Sequence, residues 1–162
     1  MTTQSTTPAT GRTVQLPSAA KLFGAVIVAC IVSPMVVFIG DIVLTDNDPY
    51  RDEGPVDSII SVGVIGGAAL VISLGVSALL VRSPERARVG AVVFGALSVL
   101  TVAVFWSGAP GLFGAAAAYL AGLTRGGRPL GGAARVAGIV GAFVAVLNIL
   151  LVVGGMVLSA IV

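Results

Sequence analysis

Histidine is missing from the 162-residue sequence. Without imidazole there is no histidine-ligated haem, no usual catalytic zinc centre and no Ser-His-Asp or Cys-His relay. Cysteine occurs once, as Cys30 within an apolar run, so neither an intrachain disulfide nor a thiolate metal cluster can be assembled. These gaps leave no cofactor or metal to expect and no nucleophile–base pair on which an enzyme could be built, so a non-enzymatic role is the expectation. Charge is scarce too. Asp, Glu, Lys and Arg make up 10% of the residues, where a soluble domain carries roughly a quarter.

What fills the space is apolar: 57% of the residues are hydrophobic, in runs interrupted by short charged stretches. Runs of roughly 20 apolar residues match a hydrocarbon core about 30 Å thick. The chain therefore reads as all-α and polytopic, a five-helix transmembrane bundle in a single domain over 19–162, preceded by a disordered cytoplasmic tail over 1–18 that is rich in Thr and Ser. The expected spans are 22–43, 58–81, 89–106, 109–124 and 136–162. The first is a retained signal anchor, because its apolar run exceeds a usual signal-peptide core of roughly 7–15 residues. Pro34 should kink it, with Ser33 available to compensate the lost backbone bond. Between Val89 and Thr124 the chain is almost uncharged and far too long for one helix, and Ser107-Gly108-Ala109-Pro110-Gly111 supplies a turn.

Orientation follows from charge, since cytoplasmic loops retain Lys and Arg near span ends. Arg12 and Lys21 precede the first span; Arg82, Arg86 and Arg88 follow the second; Arg125, Arg128 and Arg135 follow the fourth. Eight of nine basic residues then lie inside, and six of seven acids, counting Asp41, lie outside. The N-terminus is expected in the cytoplasm and the C-terminus outside. The alternative is four spans with 109–124 re-entrant, which exports the Arg125, Arg128 and Arg135 loop against the charge rule. Trp106 and Tyr50 near the outer face fit an aromatic belt. Eight arginines to one lysine, with abundant Ala, Gly and Val, point to a high-GC bacterium and hence to its cytoplasmic membrane.

Small residues at four-residue spacing are the expected helix contacts, because lipid offers no hydrophobic drive between helices. Gly63 with Gly67, Gly114 with Ala118 and Gly122, and Gly138 in the last span mark such stripes. Asn148 falls near the middle of the last span, where an unpaired amide is costly, and should bond across to a hydroxyl such as Ser73, Ser77, Ser98 or Thr101. Asp41 is a candidate coupling carboxylate, but it lies about 30 Å from Lys21 along a helix, which favours a solvated helix end.

The acidic loop around Asp46 lacks EF-hand spacing, and Gly126 to Gly132 lacks a Walker lysine. The net charge of +2 is spread beside apolar runs, so nucleic acid is not an expected partner. Membrane lipids are, together with other membrane subunits or a second copy of the chain. The function expected is that of a structural or accessory subunit working through helix–helix contacts, with a small transporter or channel as the other possibility.

Overall fold

The computed structural model describes residues 17–44, 60, 62–126 and 128–161, without the side chains of 38, 40–44 and 159–161. Every regular element among them is helical. The N-terminal tail and the acidic loop lie outside the described residues.

The first rod is built from α1 (Ala19–Ile27), a π turn (Val28–Val32) and α2 (Ser33–Leu44). Pro34 explains the interruption. Its ring crowds the carbonyl four residues back and it has no N–H to offer, so the helix widens just before it. The Val28 carbonyl accepts the Ser33 N–H across this π turn and also the Ser33 hydroxyl, at 2.9 Å. Pro34 is accommodated by the π turn ahead of it, and the Ser33 hydroxyl bonds five residues back rather than to the carbonyl four residues before the proline.

The second rod comprises another π turn (Val62–Gly66) and α3 (Gly67–Leu80). After a short turn, extended Ser83 and Pro84 open α4 (Pro84–Leu100), which tightens into a 3₁₀ segment (Thr101–Ser107). Pro84 suits a first turn because no intrahelical partner exists there for the N–H it lacks. Gly108 turns the chain at φ 73° into α5 (Ala109–Leu120). This helix stops at Gly122, φ 79°, in a Schellman arrangement: Gly122 N–H donates to the Tyr119 carbonyl at 3.0 Å and Leu123 N–H to that of Ala118 at 3.1 Å. A loop then leads to α6 (Ala133–Ile161), the longest helix at 29 residues.

Among the described residues, four helical stretches are long and apolar enough to cross a membrane: Ala19–Val37, Val62–Leu80, Pro84–Ser107 and Ala133–Leu158; Ala109–Leu120 is a shorter apolar helix. Large side chains such as Val71, Leu100, Leu150 and Leu158 are exposed on their outer faces, which in water would be untenable and in lipid is the normal state. The molecule is a helical multi-pass membrane bundle.

Its core is α5. All of Ala109–Leu120 is buried except Tyr119, which is half-buried, and the helix packs on α1, α3, α4 and α6. Ala115 to Ala118 keep it thin enough to be surrounded. At its crossing with α6, a Cβ on Gly114 would run into the Gly141 carbonyl, and one on Gly141 would sit 2.7 Å from the Gly114 carbonyl. Gly138 likewise leaves room for Ala121. Such close backbone approach maximises dispersion contact where no hydrophobic drive operates.

Two stripes read from spacing require correction. Gly63 is exposed, meeting only the Met35 methyl at 3.3 Å, and Gly67 has open space beside it. Gly66 is the close-packed glycine, its Cβ position 2.6 Å from the Ser107 carbonyl. Gly122 does not extend the Gly114 and Ala118 contact; its positive φ ends the helix instead.

Candidate functional site

The site worth building up is the break between the 3₁₀ segment and α5. A 3₁₀ end followed by a new helix start leaves carbonyls without partners on one side and N–H groups without partners on the other. Val104, at φ −113° and ψ 42°, has already left helical geometry. The turn is enclosed, because Ser107 through Leu112 are all buried. Water is not at hand, so protein groups must satisfy the backbone.

Two side chains do so. The Ser107 hydroxyl donates to the Val104 carbonyl at 2.7 Å and accepts the Ala109 N–H at 3.3 Å. Asn148, 2% exposed on α6, donates from Nδ2 to the Phe105 carbonyl at 2.7 Å and accepts the Gly111 N–H on Oδ1 at 3.2 Å. The same Phe105 carbonyl takes the Gly108 N–H at 3.3 Å, and the Gly108 carbonyl takes the Leu112 N–H at 3.1 Å. Pro110 brings no N–H to satisfy. Every N–H in the first turn of α5 therefore has a partner, and one amide side chain spans the break. Gly111 permits the approach, since a Cβ there would lie 2.8 Å from both Asn148 Oδ1 and a Val26 methyl.

The irregular segments gather around this turn. The two π turns and the 3₁₀ segment touch one another. Gly108 seats against Cys30 and Ile31 of the first π turn, and the Ser107 carbonyl against Gly66 of the second. Beside Asn148 the surface dips only slightly, with no room for a water molecule, between apolar groups including Val102, Phe105, Val144 and Leu151.

The hydroxyls expected to pair with Asn148 do not. Thr101 bonds the Leu97 carbonyl at 2.7 Å and Ser98 that of Gly95 at 2.7 Å, each within its own helix. Ser73 and Ser77 are buried on α3 with no hydrogen-bond partner for either hydroxyl, as is Thr124 in the turn that follows α5. Asn148 is drawn away from them because unpaired backbone groups at the break are the stronger claim on a buried amide. Asp41 belongs to α2, and its side chain lies outside the described residues.

At the end of the bundle where Ala19 N–H meets the Thr124 carbonyl at 3.3 Å, the basic residues collect. Arg125 stacks over Tyr119, 5.1 Å from the ring centre, and donates to the Leu120 carbonyl at 3.2 Å. That contact covers the last turn of α5 with positive charge, favourable at a helix C-terminus.

No protein-family model matches the sequence, and no curated protein or solved structure matches it either.

Proposed function

We propose that the protein is a small accessory subunit of a bacterial cytoplasmic membrane, working through its lipid-facing helical surfaces and carrying out no chemical step itself. The observation that carries this reading is the state of the interior: α5 fills the centre, and the polar groups of its N-terminal break are bonded to one another. A subunit needs a stable internal plug and free outer faces. Lys21, Arg82, Arg86, Arg125, Arg128 and Arg135 lie at the shared end of the rods, which supports a cytoplasmic location for that end and contact with anionic headgroups.

Photo-crosslinkers placed at Val71 and Leu150, both lipid-exposed, test the reading in cells. The expected result is a discrete protein adduct, either a partner subunit or a second copy. Lipid adducts alone at both positions would contradict it.

A transporter is the second reading, favoured by the presence of a broken helix inside the bundle and by the unbonded hydroxyls of Ser73 and Ser77. Solute or ion flux through reconstituted vesicles, abolished by Asp41→Asn, is the outcome that would establish it.

A further inference from the structure

We infer that α4, the 3₁₀ segment and α5 form a re-entrant hairpin, entering and leaving at the basic end of the bundle with the tip at Ser107 and Gly108 inside the hydrocarbon. Composition alone would let Pro84–Ser107 cross, since its 24 residues are long and apolar enough. The packing register is what denies it.

Contacts fix the level of the tip on three separate rods. On α6, Asn148 holds both sides of the break; it lies about 22 Å from Ala133 and about 20 Å from Ile161 at 1.5 Å per residue. On the first rod, Gly108 seats against Cys30, about 16 Å from Ala19 and about 21 Å from Leu44. On the second, the Ser107 carbonyl meets Gly66, about 21 Å before Leu80. The near ends of these rods coincide: Ala19 bonds Thr124, and Leu80 and Leu120 both crowd Gly90. The tip thus reaches about halfway along the first rod and α6, which continue roughly 20 Å beyond it, more than half of a 30 Å core, whereas the second rod is described for only about 6 Å beyond Gly66.

The length of α4 is used up at the other end. Gly95, eleven residues into α4, packs on Ala137, only four residues into α6. About 10 Å of α4 therefore projects past the start of α6 on the basic side. This differs from a scheme in which 109–124 alone is re-entrant. Here both arms return together, so Arg82, Arg86 and Arg88 stay on the same side as Arg125, Arg128 and Arg135.

An irregular backbone within the bilayer is tolerated only when buried in protein and bonded there. Ser107, Gly108 and Asn148 meet that requirement, wedged between two π turns. Asn148 is in this sense a positioning residue: it clamps the tip at its depth.

Tags on the termini cannot separate a re-entrant hairpin from two full crossings, because both give the same sidedness. Trp106 can. It is the sole tryptophan of the chain, adjoins the tip and is 46% exposed toward the lipid face. The wild-type protein in phospholipid vesicles, with bromines placed at successive positions along the acyl chain, reports its depth by fluorescence quenching. The expected result is blue-shifted emission, greatest loss of intensity with bromines in the deep part of the chain, and no loss with aqueous iodide. Greatest loss with bromines next to the headgroup, accompanied by iodide quenching, would overturn the hairpin and restore five crossings. The inference rests on membrane insertion of the bundle; indifference to every brominated lipid would refute insertion itself. Either depth leaves the choice between subunit and transporter untouched.

Discussion

Asn148 can offer two N–H donors and two carbonyl lone pairs, and one of each is committed across the α5 break. Removing it leaves the Gly111 N–H without a partner and strips one bond from the Phe105 carbonyl, whose remaining one from Gly108 is long at 3.3 Å. Each unmet buried group costs about 1–3 kcal/mol. Asn148→Leu should therefore lower stability by about 2–3 kcal/mol in a reversible SDS unfolding titration in mild detergent. The unbonded Ser73 and Ser77 hydroxyls make the opposite case. Ser73→Ala and Ser77→Ala remove a buried oxygen that forms no bond, and both variants should unfold within about 1 kcal/mol of wild type or above it. Glycines divide in the same way. Gly114→Ala drives a methyl into the Gly141 backbone and should cost about 1–3 kcal/mol or prevent folding. Gly67→Ala meets nothing within 4 Å and should gain about 0.5–1 kcal/mol from helix propensity, read in the same titration.

At the scale of elements, the apolar runs made the rods legible, and the Ser107 to Gly111 cluster marked the turn. The face that each rod presents was harder to read. Four-residue spacing singled out Gly63 and Gly67, yet the residue one heptad before Ser73 is Gly66, and it is Gly66 that packs. A π turn there adds a residue to the helical repeat, so a stripe drawn with regular spacing drifts off the contact face. Gly122 shows a different limit: a glycine in register with Gly114 and Ala118 can equally be the residue that stops the helix, and only its φ of 79° decides. Gly122→Ala should fray the end of α5 and cost about 1–2 kcal/mol, since a Cβ is strained in the left-handed region. Asn148 was legible as a buried amide needing a partner. Its partners were not, because they are main-chain groups exposed by a break whose geometry no residue type announces. The combination of Gly108, Pro110 and Gly111 beside an unpaired amide is the signal that hinted at them.

On the scale of the whole molecule, the bundle is an outer set of long rods around one short helix, with the two π turns and the 3₁₀ segment gathered at one level. Cys30 belongs to that level and is fully buried. Hydrophilic maleimides should fail to label it in the native protein from either side and should label it fully in denaturing SDS. The break is the part of the bundle most exposed to failure, because water reaching it would compete for every bond that holds it. Amide hydrogen exchange in lipid nanodiscs is the most direct probe of that seal. Peptides covering 105–112 should exchange as slowly as the middle of α6 in the wild-type protein, and about 30- to 150-fold faster in Asn148→Leu, the factor corresponding to a loss of about 2–3 kcal/mol. Rapid exchange of 105–112 in the wild type, or equal protection in the variant, would show that Asn148 does not hold the break closed.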